Sequence, residues 1–322
     1  MRRVVRFRRA AVTAVLALSV AASGFAAQKC TQASVHDFTL SRSGRLLDAN
    51  QISAWITNYG VLCRDPETGS AGLTYPAGTQ KTLVYTLGLW VAGQVNGEVR
   101  TACADYNSEF QPGRILDDGQ PDDPDNPGYR VYKIRPGDSA DPSSPRYNPD
   151  YAEWPVQDGA PVDESGAPLV LGDQTLWWVM NDANPTLHNR TYHSAPLNLE
   201  VHGLAWAFAD TTSPLGRCFF VQYTLINKGQ DPIEDAYVGI YLDPDVGNST
   251  DDGTACDTSL SLTYGYNRSS RDRMYGEKVP AVGLVLLQGP AVPAPGHTAP
   301  QFLHPPIQNA RTLGMTSNNV YY

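Results

Sequence analysis

Between residues 243 and 257 the chain carries Asp243, Asp245, Asp251, Asp252 and Asp257, with Asn248, Gly247 and Gly253 interspersed. The β-prone run IEDAYVGIYL at 233–242 delivers the first two carboxylates at alternating positions into a Gly-rich stretch. Calcium takes about six to eight oxygen ligands from carboxylates, carbonyls and water. Carboxylates crowded together repel one another unless a cation lies between them. The expectation is a calcium site in which Asp243, Asp245 and Asp251 converge, supported by Asp252, Asp257 and Asn248. The spacing is not that of an EF-hand. Gly247 stands where that loop carries a ligand, and Thr254 where it needs glutamate. The competing reading is a solvated acidic turn.

Other chemistry has thinner support. Asp117, Asp118, Asp122, Asp123 and Asp125 form a second acidic cluster, read as a solvated loop because its prolines fix no ligand geometry. His188 and His193 share one loop and His202 follows on the next strand, so three imidazoles could gather around a transition metal. Loop histidines are more often surface residues. There is no GxSxG elbow and no HExxH helix. A glycosidase pair would need two carboxyl groups about 5–10 Å apart. Glu153, Glu164 and Glu200 are available for it. Trp177 and Trp178 are adjacent in a strand and so point to opposite faces. One belongs to the core. The other either packs beneath a neighbouring segment or offers a sugar a stacking platform.

The elements that would position these groups lie behind an export leader. Arg2, Arg3, Arg6, Arg8 and Arg9 precede an apolar run from Ala10 to about Ala22, then small residues through Ala27. This is the pattern of a secretory signal peptide, with cleavage expected after Ala26. The run falls short of the roughly 20 apolar residues of a membrane span, and no second candidate follows. The mature chain is therefore expected to be exported (extracellular, cell-surface or periplasmic) with no membrane span. The whole chain has 322 residues and a net charge of −9, and loss of the leader makes it more acidic. A broad basic nucleic-acid face is not expected of such a chain. Of the five cysteines none forms a CxxC pair. Disulfides are permitted outside the cytoplasm. Two bridges and one free thiol allow fifteen pairings among which the sequence does not choose, and Cys218–Cys256 is favoured because both lie in one β-rich segment.

Twenty-eight glycines and 25 prolines favour turns over helices. The expected fold is all-β: an antiparallel β-sandwich, immunoglobulin-like or jelly-roll-like, with a long Pro/Asp-rich insertion. Residues 1–26 are the leader and 27–110 a first β-rich segment. Asn96-Gly97 there joins two β-prone runs as a hairpin. Residues 111–171 form the acidic Pro-rich insertion or connector, with one short strand expected within 129–134. Residues 172–290 hold six β-prone runs and form a second segment, which makes one sandwich with the first or a sandwich of its own. Residues 291–322 are a Pro-rich tail without a recognisable sorting signal. They fit either a natural end or the N-terminal part of a longer protein.

Several stretches carry a resemblance. ITNYG at 56–60 and LINKG at 225–229 both end a strand in Asn-x-Gly. More particular are TLGLWVAG at 86–93, YNSEFQPG at 106–113, GDQTLWWVMND at 172–182 and DAYVGIYLDPDVGNSTDDGTACD at 235–257. Together they resemble a group of large exported β-rich surface proteins of Gram-negative bacteria. These commonly end in an immunoglobulin-like or fibronectin-like module or a type IX secretion sorting domain. The resemblance spans most of residues 50–290, implies an extracellular setting and brings no chemistry with it. The function expected is a non-catalytic structural or adhesive module, calcium-stabilised, whose partner is a surface polymer or protein. The alternative is a carbohydrate-binding module or a glycoside hydrolase.

Overall fold

The computed structural model describes residues 11–22, 43–189 and 193–320. Along the chain the strands are β1 Ala11–Ala22, β2 Gly44–Leu47, β3 Ser53–Thr57, β4 Val61–Leu62, β5 Leu73–Thr74, β6 Thr82–Val95, β7 Glu98–Cys103, β8 Gln111–Pro112, β9 Tyr132–Ile134, β10 Gln174–Asn181, β11 Leu199–Ala207, β12 Cys218–Asn227, β13 Glu234–Pro244, β14 Asp252–Asp257, β15 Leu262–Asn267, β16 Pro280–Gln288, β17 Ala291–Gln301 and β18 His304–Thr312. The one α-helix among the described residues is the single turn Pro149–Ala152. Every ladder between these strands is antiparallel.

Two sheets pack face to face. Nine strands run in the order β14-β15-β16-β1-β12-β11-β10-β8, with β9 also paired to β10. Seven make the other sheet, β13-β6-β5-β3-β2, with β4 and β7 also paired to β6. One core joins them. Leu62, Leu87 and Leu89 of the smaller sheet share it with Trp178, Phe219, Val221 and Leu284 of the larger. The two β-rich segments therefore build one sandwich. Strand β13 leaves its own segment to pair with β6, while β8 and β9 join the sheet of the second segment.

Local chemistry explains the elements. Asn96 and Gly97 both take positive φ, 53° and 81°, as the tight turn between β6 and β7 requires. Trp178 is fully buried between the sheets, and Gly203 on β11 lies beneath its ring. A Cβ on Gly203 would fall 2.1 Å from the indole, so only glycine fits there. Trp177 points the other way and meets Tyr132 and Trp154 of the insertion, at ring centroid distances of 6.3 and 6.4 Å. The insertion is thus a cover for the outer face of the larger sheet. The Pro-rich tail is a hairpin, β17–β18, whose ladder is irregular around its prolines. A two-stranded ribbon leaves each strand one free edge, where proline is tolerated. The hairpin docks through Phe302, which stacks on Trp206 at 5.2 Å.

One apolar run has a place in the fold, and two expectations change. The apolar run read as a leader core forms β1, hydrogen-bonded between β12 and β16. Its arginine-rich flank and the cleavage region after Ala22 lie outside the described residues. Residues 252–257, read as part of a loop, are strand β14, paired with β15. The Cys218–Cys256 bridge is not formed; Cys63, Cys103, Cys218 and Cys256 are all free thiols. Strands β12 and β14 are separated by β1, β16 and β15. Four strand spacings of about 4.8 Å far exceed the reach of a disulfide. Cys30 lies outside the described residues.

Candidate functional site

The outer face of the smaller sheet gathers a group of aromatic side chains, of which Tyr106 and Tyr237 are exposed. In β13, Val238, Ile240 and Leu242 turn toward the core. Period two then places Tyr237, Gly239, Tyr241 and Asp243 on the opposite face. Gly239 pairs with Trp90 of β6, and Tyr241 with Gly88. The ladder skips a residue between Thr86 and Val84, a bulge at Tyr85. Trp90 stacks on Tyr241 at 5.4 Å, Tyr106 meets Tyr241 edge-on at 5.7 Å, and Tyr85 meets Tyr106 at 5.8 Å.

Hydrogen bonds fix these rings. The Trp90 indole N–H donates to the Ala104 carbonyl at 3.0 Å, and the Tyr85 hydroxyl to the Gly69 carbonyl at 2.8 Å. Arg64 donates to the carbonyls of Gly69 and Tyr106 and lies over the Tyr85 ring, 5.5 Å from its centroid. The Tyr241 hydroxyl donates to that of Tyr106 at 3.0 Å, and Tyr106 donates to Asp243 Oδ2 at 2.7 Å. Burial, the Tyr241 bond and the Asp243 charge push the Tyr106 phenol well above its ordinary pKa. Tyr237 is 71% exposed and Tyr106 41%. The patch offers flat apolar rings and fixed polar edges, which suits stacking against a sugar or an extended peptide.

The expected calcium ligands divide. Asp243 belongs to the aromatic face. The Asp245 N–H continues the β13–β6 ladder by donating to the Leu83 carbonyl at 2.9 Å. Asp252 Oδ2 accepts the Val246 N–H at 2.9 Å, and Asp251 Oδ1 accepts from the Asn248 amide at 3.2 Å. Asp257 ends the far side of β14, where its carboxylate caps the turn at Ser259 and is held below its ordinary pKa by those bonds. So Asp245, Asp251 and Asp252 share the β13–β14 connection, and Asp243 and Asp257 stand apart from it. Asp272 was missed: its carboxylate accepts the N–H groups of Asn248, Met274 and Tyr275 and so organises the same connection. Only the turn at Gly276 hints at this in sequence. Among the described residues no group of three His, Cys, Asp or Glu side chains is arranged to hold a metal ion.

The other singled-out groups are structural. His202 Nε2 lies 3.0 Å from Glu200 Oε1, and the ring sits edge-on to Trp177 beneath the insertion. Glu153 pairs with Arg130 at 2.8 Å. His188 is fully buried with Glu109 and Asp182, its Nε2 3.5 Å from Asp182 Oδ2. Asp182 accepts the N–H groups of Leu197 and Leu199, and Glu109 that of Cys103. This trio therefore clamps loop to strand. His188 and His202 have separate surroundings, so the three-imidazole site is not assembled.

No protein-family model, curated protein or solved structure matches the chain. What fold and site define is a class, the all-β antiparallel sandwich with an aromatic outer face.

Proposed function

We propose that the chain is an exported, non-catalytic β-sandwich module that adheres to a surface polymer or protein through the face of Trp90, Tyr106, Tyr237 and Tyr241. The observation carrying this reading is the exposed tyrosines on an aromatic patch whose inner rings are already hydrogen-bonded in place. Such preorganisation lowers the entropic cost of binding. A carbohydrate ligand is the second reading, favoured by Gly239, which sets no side chain beside Trp90 between Tyr237 and Tyr241. Calcium enters the proposal as a brace for residues 245–252.

The test is retention of the purified protein on insoluble polysaccharides and on protein-coated surfaces, beside a Tyr106→Ala/Tyr237→Ala double variant. Retention that falls about tenfold in the variant, a loss of about 1.4 kcal/mol, supports adhesion through this face. The ligand class is read from which surface retains the protein. Retention unchanged by the double substitution would remove the face from the proposal.

A further inference from the structure

Strand β1 is central to the larger sheet, yet its residues are the apolar core of the expected leader. Both roles cannot persist after cleavage at Ala26. Strand β1 pairs antiparallel with β12 over Ala11–Ser19 and with β16 over Val15–Ala22. Its central side chains alternate between the two faces. Leu16 and Leu18 enter the core between the sheets, and Val15 joins the cluster on the outer face. Leu16 lies between Val221 and Leu286, and Leu18 between Phe219 and Leu284.

Removal of β1 leaves two facing strand edges about 10 Å apart, each with a row of unpaired backbone N–H and C=O groups. It also uncovers Phe219, Val221 and Leu284. Strands β12 and β16 both run antiparallel to β1 and so parallel to one another. They can meet only if the sheet shifts by a full strand width and exchanges two antiparallel ladders for one parallel one.

We infer that the slot between β12 and β16 is a strand-acceptor site. It takes in trans an extended polypeptide that presents long apolar side chains to the core and runs antiparallel to both edges. Backbone hydrogen bonds on both sides supply affinity, and the alternating pockets supply register. The occupant is a protein strand because both walls are open ladder edges, which a sugar chain cannot complete. The inference rests on the export reading.

The test begins with the full chain passed through an export pathway and N-terminal sequencing of the product. An N-terminus near residue 27 keeps the export reading. An intact N-terminus overturns the inference and that reading together, with β1 a permanent strand. The processed protein is then titrated with the peptide AVTAVLALSVAA, made soluble by terminal lysines, and with the same peptide carrying Leu16→Asp and Leu18→Asp. Saturable binding of the first, at least tenfold weaker binding of the second, and slowed amide exchange in β12 and β16 are expected. If a processed protein ignores both peptides, or its β12 and β16 amides are already protected without them, the acceptor site is refuted and export stands.

Discussion

The Tyr106 hydroxyl donates to Asp243 Oδ2 at 2.7 Å, which ties that carboxylate to the aromatic face. Asp243 is thereby separated from the calcium question. Asp243→Ala leaves a partly exposed phenol to water and costs about 1 kcal/mol. Its effect on Tm is expected to be equal in millimolar calcium and in chelator. Asp251→Ala lies within the β13–β14 connection, where calcium is proposed; it loses the Asn248 bond in either buffer, and a larger effect is expected when calcium is present. Thermal melts of both variants in both buffers check this. A calcium-induced rise abolished by Asp243→Ala would contradict the placement of Asp243. No rise in the parent protein would reduce residues 245–252 to a hydrogen-bonded turn.

What could be read from sequence was local. Asn96-Gly97 encodes its hairpin through the positive φ of both residues, and the strand period alone places Trp177 and Trp178 on opposite faces. What could not be read was set by distant partners. Strand β13 joins the smaller sheet because Val238, Ile240 and Leu242 meet a core made by the other segment, which no window around them contains. Strand β14 was hidden by the aspartates at both its ends, which look like loop residues until β15 pairs with them. The Glu109–Asp182–His188 clamp brings Glu109 to two residues more than 70 positions further along the chain.

The paired tryptophans separate two kinds of damage. Trp177 is buried by the insertion and Trp178 by the opposing sheet. Either truncation to alanine costs about 3–5 kcal/mol. Trp177→Ala is expected to loosen the cover first, so limited proteolysis cuts within 111–171 while the sandwich still melts cooperatively. Trp178→Ala opens the shared core, so cleavage sites appear throughout once the chain unfolds. The same early fragments from both variants would mean that the insertion is not held by Trp177.

Gly203 tests the packing around Trp178 from the other side. Gly203→Ala forces a Cβ into the indole, and overpacking of this severity costs about 3 kcal/mol. A second substitution, Trp178→Leu, vacates the space the new methyl needs. The double variant is expected to be more stable than the sum of the single losses predicts, a coupling measured by urea unfolding of all four proteins. Strict additivity would show that the glycine is there for another reason.

Asp182 gives the fold a titration that runs against the usual carboxylate behaviour. Burial raises its pKa from the ordinary 3.8 to about 7, against the pull of the Leu199 and Leu197 N–H groups and with a push from Glu109. The unfolded carboxyl ionises near pH 4, whereas the folded one stays protonated until about pH 7. The stability it contributes is therefore complete below pH 4 and is lost as pH rises through 7. His188 acts with the opposite sign: burial lowers its pKa below the ordinary 6.5, so its contribution is present above that value and lost as pH falls. Asp182→Asn keeps the site neutral at every pH but turns an amide N–H toward one backbone donor, at a cost of about 1–3 kcal/mol. Urea unfolding at pH 4.5 and at pH 8 is expected to show the variant clearly weaker at the lower pH and the gap narrowed at the higher. A gap that is constant, or that widens with pH, would mean that Asp182 is ionised throughout and held by its two N–H donors as an ordinary carboxylate.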